Sequence, residues 1–304
     1  MSRILPSLLR QPFEAGLSKL LQPEGTGPDD FRFPEGEAAL TAPDSVSWRV
    51  FKNPVSLFVG GITAVILELA EPRVRSGVWD HSSFKAQPLK RLKRTGLAAM
   101  VTVYGPRETA EKMIAGVVRM HGHVTGETPA GVAYQANDPA LLDWVQATAS
   151  FGFIEAYHAY ARTLSQVERD AAFAEAAPGA RLYGATGAPT SEAAWKRQLA
   201  LMLPNLEPSE IVFEFLDIMT STPLLPGPLR LIQKPLVRAA VAITPVEVRA
   251  RLGLGEAFDL NGVERRLVRL AGAGADRAPI KGSPAVESSR RMGLPDDYLY
   301  RRRA

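Results

Sequence analysis

Apolar residues recur at helical spacing along most of the chain and rarely alternate. The densest run is VSLFVGGITAVIL at residues 55–67, closed by Glu68. It predicts a buried helix over 55–70, in which Gly60 and Gly61 permit close helix packing and after which Pro72 follows. SGVWDHSSF reads as a turn with Asp80 and Ser82 as caps. Pro88 opens the next helix, which stops at Gly105-Pro106. The helix predicted over 107–124 carries the stripe Ala110, Met113, Ile114, Val117 and Val118. Asp138 before Pro139 starts another that runs to about Arg162. Further helices are predicted at 166–177, 191–202, 209–219, 228–243, 245–252 and 255–270. Residues 1–45 are rich in Pro, Gly and acids and read as an arm with one short helix at 6–21. From 271 to 304 Gly, Ser and Arg dominate, and the chain reads as a loose basic tail. No alternating strand run and no internal repeat emerges. The fold class is therefore all-α, a single multi-helix domain over 46–270.

Composition narrows the function classes. The 304 residues are 46% hydrophobic and 22% charged, ordinary values for a globular chain with a sizeable core. Net charge is only +4, and Arg301, Arg302 and Arg303 supply much of the excess, so no nucleic-acid partner is expected. The absence of cysteine removes disulfides, thiolate ligation, iron–sulfur clusters and cysteine-based zinc sites. The run at 55–67 is shorter than the roughly 20 residues of a membrane-spanning helix, so no transmembrane segment is expected. No signal-peptide pattern opens the chain, and a cytoplasmic location is the default expectation.

Candidate chemistry begins at MHGHVTG, residues 120–126, which holds two of the four histidines. The apolar stripe of its helix continues into His121, whereas His123 lies about 200° further round. The two cannot chelate one metal from a regular helix, which needs spacing of three or four. His121 is either a core histidine with satisfied nitrogens or an axial haem ligand, and periodicity alone does not choose. On the helix QPLKRLKRTG, Arg91, Arg94 and Thr95 share one face, either solvated or turned into a pocket where they polarise bound oxygen. Glu68 and Glu71 sit among Ile66, Leu67, Leu69 and Ala70, as paired carboxylates or as candidates for a general base. Trp144, Thr148, Phe151, Glu155 and His158 fall on one helical face and read as core.

The ordered segments LELAEP, VRSGVWDHSSF, PLKRLKRTG, VYG, MHGHVTG and GVAYQANDPALLDWVQAT resemble the haem oxygenase family that includes latex-clearing proteins (rubber oxygenases) and MpaB-type oxygenases. The resemblance covers roughly residues 50–250. It implies a globin-like helical core holding haem b, with dioxygen as co-substrate. In the latex-clearing branch the proximal iron ligand is the histidine of an H-x-x-V segment, which is His121 here. That branch also places an Arg, a Lys and a Thr from an RxxKT helix on the distal side. These positions become Arg91, Arg94 and Thr95, with Arg91 also expected to help bind the cofactor. An arginine stays charged, so the lysine capping of the resting iron is expected to be absent. The branch's catalytic acid is a glutamate on the preceding helix, for which Glu71 and Glu68 are the candidates and Glu71 the preferred one. MpaB relatives often carry W-V-H-A-T where this chain has Gln146 in place of the histidine. The resemblance implies a hydrophobic, unsaturated, isoprenoid-like small-molecule substrate. The altered lysine and histidine leave a second reading, a haem- or lipid-binding helical protein without turnover.

Overall fold

The computed structural model describes residues 29–225 and 227–301; the helix expected at 6–21 lies outside them. Among the described residues there are fourteen α-helices and one small hairpin. In chain order the first six helices are α1 (Asp29–Arg32), α2 (Val46–Phe51), α3 (Pro54–Ala70), α4 (Pro72–Asp80), α5 (Pro88–Tyr104) and α6 (Arg107–His121). The hairpin follows, β1 (Thr125–Glu127) against β2 (Ala133–Gln135), antiparallel with Gly126 opposite Tyr134. Then come α7 (Pro139–Tyr160), α8 (Gln166–Tyr183), α9 (Glu192–Met202), α10 (Glu210–Ser221), α11 (Gln233–Ile243), α12 (Val246–Leu252), α13 (Gly262–Ala275) and α14 (Pro284–Arg291). The all-α class expected from periodicity is the observed one. No described helix alone is long and apolar enough to cross a membrane; α3 and α4 together are, but the chain bends by 112° between them.

The centre of the molecule is the packing of α3 along α7. Val59, Ile62, Ile66 and Leu67 from one helix and Ala147, Phe151 and Ile154 from the other lie in one buried cluster. Two glycines let the backbones touch. A Cβ on Gly60 would sit 2.7 Å from the carbonyl oxygen of Gly152 and 2.7 Å from Cα of Phe153. These atoms are backbone and cannot swing aside. Gly60→Ala is therefore expected to destabilise the fold by about 1–3 kcal/mol. Gly61→Ala, whose Cβ would meet only the Phe153 ring at 3.9 Å, should be neutral or slightly stabilising because alanine is the better helix former. Urea midpoints of the two variants check the contrast.

The ends of α3 explain why it stops where it does. Asn53 caps its start, accepting from the backbone N–H groups of Val55 and Ser56, with Pro54 in the first turn. At its end four carbonyls lack partners within the helix. Trp144 Nε1 donates to that of Leu67 (3.3 Å) and the Glu71 N–H to that of Glu68 (3.2 Å). Arg75 Nη1 donates to that of Leu69 (3.1 Å) and the Glu207 N–H to that of Ala70 (2.9 Å). Glu71 then caps the next helix. Its carboxylate accepts from the Val74 N–H and from Arg73 Nε, both at 2.8 Å. That cap converts much of the expected turn at SGVWDHSSF into α4.

Two other sequence expectations change. The helix expected to end near 177 runs through Pro178 to Tyr183, where Gly184 at φ 95° closes it. The segment from 271 on, expected as a loose tail, packs against the core. Residues 271–275 finish α13, and α14 is buried almost throughout. Ile280, Ala285 and Leu299 share a cluster with Phe31, Leu40, Trp48, Met100 and Tyr104. Part of the expected N-terminal arm is thus core as well. Arg291, 1% exposed, holds this junction by donating to the carbonyls of Phe31 (2.5 Å), Glu37 (2.9 Å) and Tyr104 (2.5 Å). The physical reason is that polar side chains here are satisfied by distant backbone carbonyls, a bond that leaves no apolar period in the sequence.

Candidate functional site

Three helices bring charged and polar groups into one neighbourhood. Glu68 comes from the last turn of α3, Arg91 from the first turn of α5, and His121 ends α6. Arg91 acts electrostatically on both of the others. Burial raises the Glu68 carboxyl to about 7, against the smaller opposing effects of the Arg91 charge and of hydrogen bonding with the Thr148 hydroxyl. Burial also lowers Arg91; Glu68 opposes that and Arg94 adds to it. The His121 imidazole is lowered by burial and, second, by the Arg91 charge, so it is neutral at pH 7. Its Nδ1 is enclosed and has no hydrogen-bond partner.

The remaining expected residues lie further out. Arg94 and Thr95 are exposed, although Arg91 Nη1 donates to Thr95 Oγ1 and the Thr95 hydroxyl returns a bond to the Arg91 carbonyl (3.0 Å). Glu71 is 2% exposed, and its two oxygens serve the α4 cap and Arg73. His123 is exposed. His81 Nε2 lies 3.1 Å from the Tyr134 hydroxyl, and His158 Nδ1 accepts from the Leu164 N–H. Beside the end of α6, Asn137 Nδ2 donates to the Val118 carbonyl (3.0 Å), while its Oδ1 is buried without a partner. Among the described residues no group of three or more histidines and carboxylates forms a metal site.

Residues 48–275 match the family model described as ER-bound oxygenase mpaB/B'/Rubber oxygenase, catalytic domain. The chain belongs to this family. No curated protein and no solved structure matches it. The matched span of this oxygenase domain holds Glu68, Arg91, His121 and Thr148 and ends before α14. Membership makes the chain an enzyme domain of oxygenase type, with a small molecule as substrate.

Within the oxygenase domain, Thr148 and Asn137 were not singled out by sequence reasoning as site residues. Thr148 shares the helical stripe of Trp144 and Phe151, which reads as core, and it is indeed 0% exposed. Its hydroxyl reaches the Val145 carbonyl (2.9 Å) as well as Glu68. The signal that would have found it is a hydroxyl set in an apolar stripe facing a carboxylate-bearing helix. Asn137 sits in the turn ahead of the Asp138 cap, where an asparagine is ordinary.

The raised Glu68 has a thermodynamic consequence. In the unfolded chain it loses its proton near 4.5, in the folded domain near 7. Between those values the folded state holds more protons, so stability falls as pH rises from about 4.5 to 7 and is level above. Glu68→Gln is expected to remove that decline, a difference of up to about 3 kcal/mol at pH 8 relative to pH 4.5. Urea titrations of both proteins across this range check it; parallel curves would contradict a buried, proton-retaining Glu68.

Proposed function

We propose that the domain is a haem b-dependent oxygenase acting on a hydrophobic, unsaturated, isoprenoid-like substrate. The observation that carries this reading is His121, a neutral imidazole with an enclosed, unpartnered nitrogen, beside Arg91 and Glu68. A neutral imidazole with an unpartnered nitrogen suits iron ligation in a histidine-held haem. Bound haem b would supply an iron centre able to activate dioxygen. His121 would hold that group. Arg91, permanently charged, would stabilise negative charge developing on oxygen or hold a propionate. Arg94 and Thr95 extend the same helix towards its open side.

Glu68 is better suited than Glu71 to move a proton. Its carboxyl changes state near neutral pH, where a general base is most effective, and Thr148 orients it. Glu71 is committed to its cap. Glu68 would take an allylic proton from the substrate and return one as the double bond is cleaved, both oxygen atoms of dioxygen ending in two carbonyl products. The test is to supply the purified protein with haem b, record its spectrum, and measure dioxygen uptake and carbonyl formation with cis-1,4-polyisoprene or a short unsaturated isoprenoid. A Soret band with substrate-dependent uptake supports the reading. A Soret band without uptake for any such substrate supports the non-catalytic haem-binding alternative, and no band at all overturns the haem assignment.

A further inference from the structure

A second site lies away from Glu68, Arg91 and His121. A cavity of about 290 Å³ opens where residues 276–301 fold back over α2 and α7. Its wall carries Arg49, Lys52, Arg162, Arg277 and Arg301 against a single carboxylate, Asp276. Two more carboxylates stand behind it. Glu168 pairs with Arg49 (2.7 Å) and loosely with Arg162 (3.6 Å), and Asp297 pairs with Arg301 (2.8 Å). Positive charge remains in excess even with these counted.

The cations play different parts. Lys52 is fully committed, donating to the carbonyls of Asp276 (2.7 Å) and Leu299 (2.8 Å) and pairing with Asp276 Oδ1 (3.1 Å). It ties the returning segment down. Arg49 is 7% exposed, yet its Nε is enclosed without any partner. Arg277 is exposed at the rim. Arg162 stands between this cavity and an adjoining hollow of about 550 Å³, which also shares Ala161 and Ala273. An enclosed guanidinium N–H left unbonded beside surplus positive charge lacks an acceptor with negative charge.

We propose that this cavity binds a phosphate-type oxyanion through Arg49, Arg162 and Arg277. Planar guanidinium groups match the oxygens of phosphate in paired hydrogen bonds, and a partly enclosed wall strengthens the attraction. The adjoining hollow has room for the remainder of a phosphate ester. Burial lowers the Lys52 ammonium, its pairing with Asp276 opposes that, and the Arg162 and Arg49 charges add smaller lowering effects that a bound anion would offset. Asp276, Arg277 and Arg301 lie beyond the matched family span, so the site depends on this chain's own C-terminal segment.

Calorimetric titration of the full chain tests the proposal without any haem. The probes are inorganic phosphate and phenyl phosphate, with sodium chloride at equal ionic strength as the baseline. Saturable binding at one site is expected, weakened at least tenfold in Arg162→Gln and in Arg277→Gln. Both side chains reach solvent, so these variants should keep the wild-type unfolding midpoint. Tighter binding of phenyl phosphate would identify an ester headgroup as the ligand, and equal or weaker binding the free ion. No saturable heat above the chloride baseline, or undiminished binding in both variants, would overturn the proposal.

Discussion

His121→Ala protein supplied with haem b is expected to show no Soret band of a histidine-ligated haem, whereas His123→Ala should match the wild type. The two histidines are one residue apart, but one is half-buried and the other exposed. The His121 side chain makes no hydrogen bond through Nδ1, so its removal leaves no orphaned protein partner on that side. Folding stability should therefore change by only about 1 kcal/mol or less. The loss would be one of ligation rather than of fold, and added imidazole should restore part of the band by filling the vacated space. A band unchanged by His121→Ala, or one lost equally in His123→Ala, would remove the assignment. The raised Glu68 offers an independent arm, because Glu68→Gln should retain the band while lowering turnover.

Arg291→Met should destabilise the protein by about 3 kcal/mol, enough to move a urea midpoint clearly at constant slope. The wild-type guanidinium is buried and pushed down to about 10 by that burial, yet it stays charged at neutral pH. It donates to three carbonyls far from it in sequence, those of Phe31, Glu37 and Tyr104. Methionine fills similar space but leaves the Phe31 and Glu37 carbonyls without this donor; Ser288 Oγ still serves Tyr104 (2.9 Å). Relief of the charge's desolvation offsets part of the loss, which keeps the cost below that of two full unsatisfied groups. By contrast Arg301→Met removes only a surface pair with Asp297 and should leave the midpoint close to that of the wild type. Equal midpoints for the two variants would mean that the C-terminal segment does not depend on Arg291.

The sequence by itself determined the helices whose signals are local. Asn53-Pro54, Asp138-Pro139 and Ser165 mark helix starts because a cap bonds to backbone within three residues. The stripe on α6 leads to His121, the last residue of that helix, whereas His123 falls in the turn beyond it and is exposed. The order of short motifs carried the family. Tertiary structure decided the rest. Glu68 and Glu71 are three apart and look alike in sequence; what distinguishes them is that the chain turns at Glu71, taking its carboxylate for the next cap, while Thr148 and Arg91 arrive beside Glu68 from other helices. Residues 276–301 carry little apolar periodicity, so nothing local announces their order. They are held by Lys52 and Arg291 bonding to carbonyls that only the folded chain brings near. Local signals record bonds a residue makes with its neighbours along the chain; the acid of the candidate site and the closure of the basic cavity depend on bonds between residues tens to hundreds of positions apart.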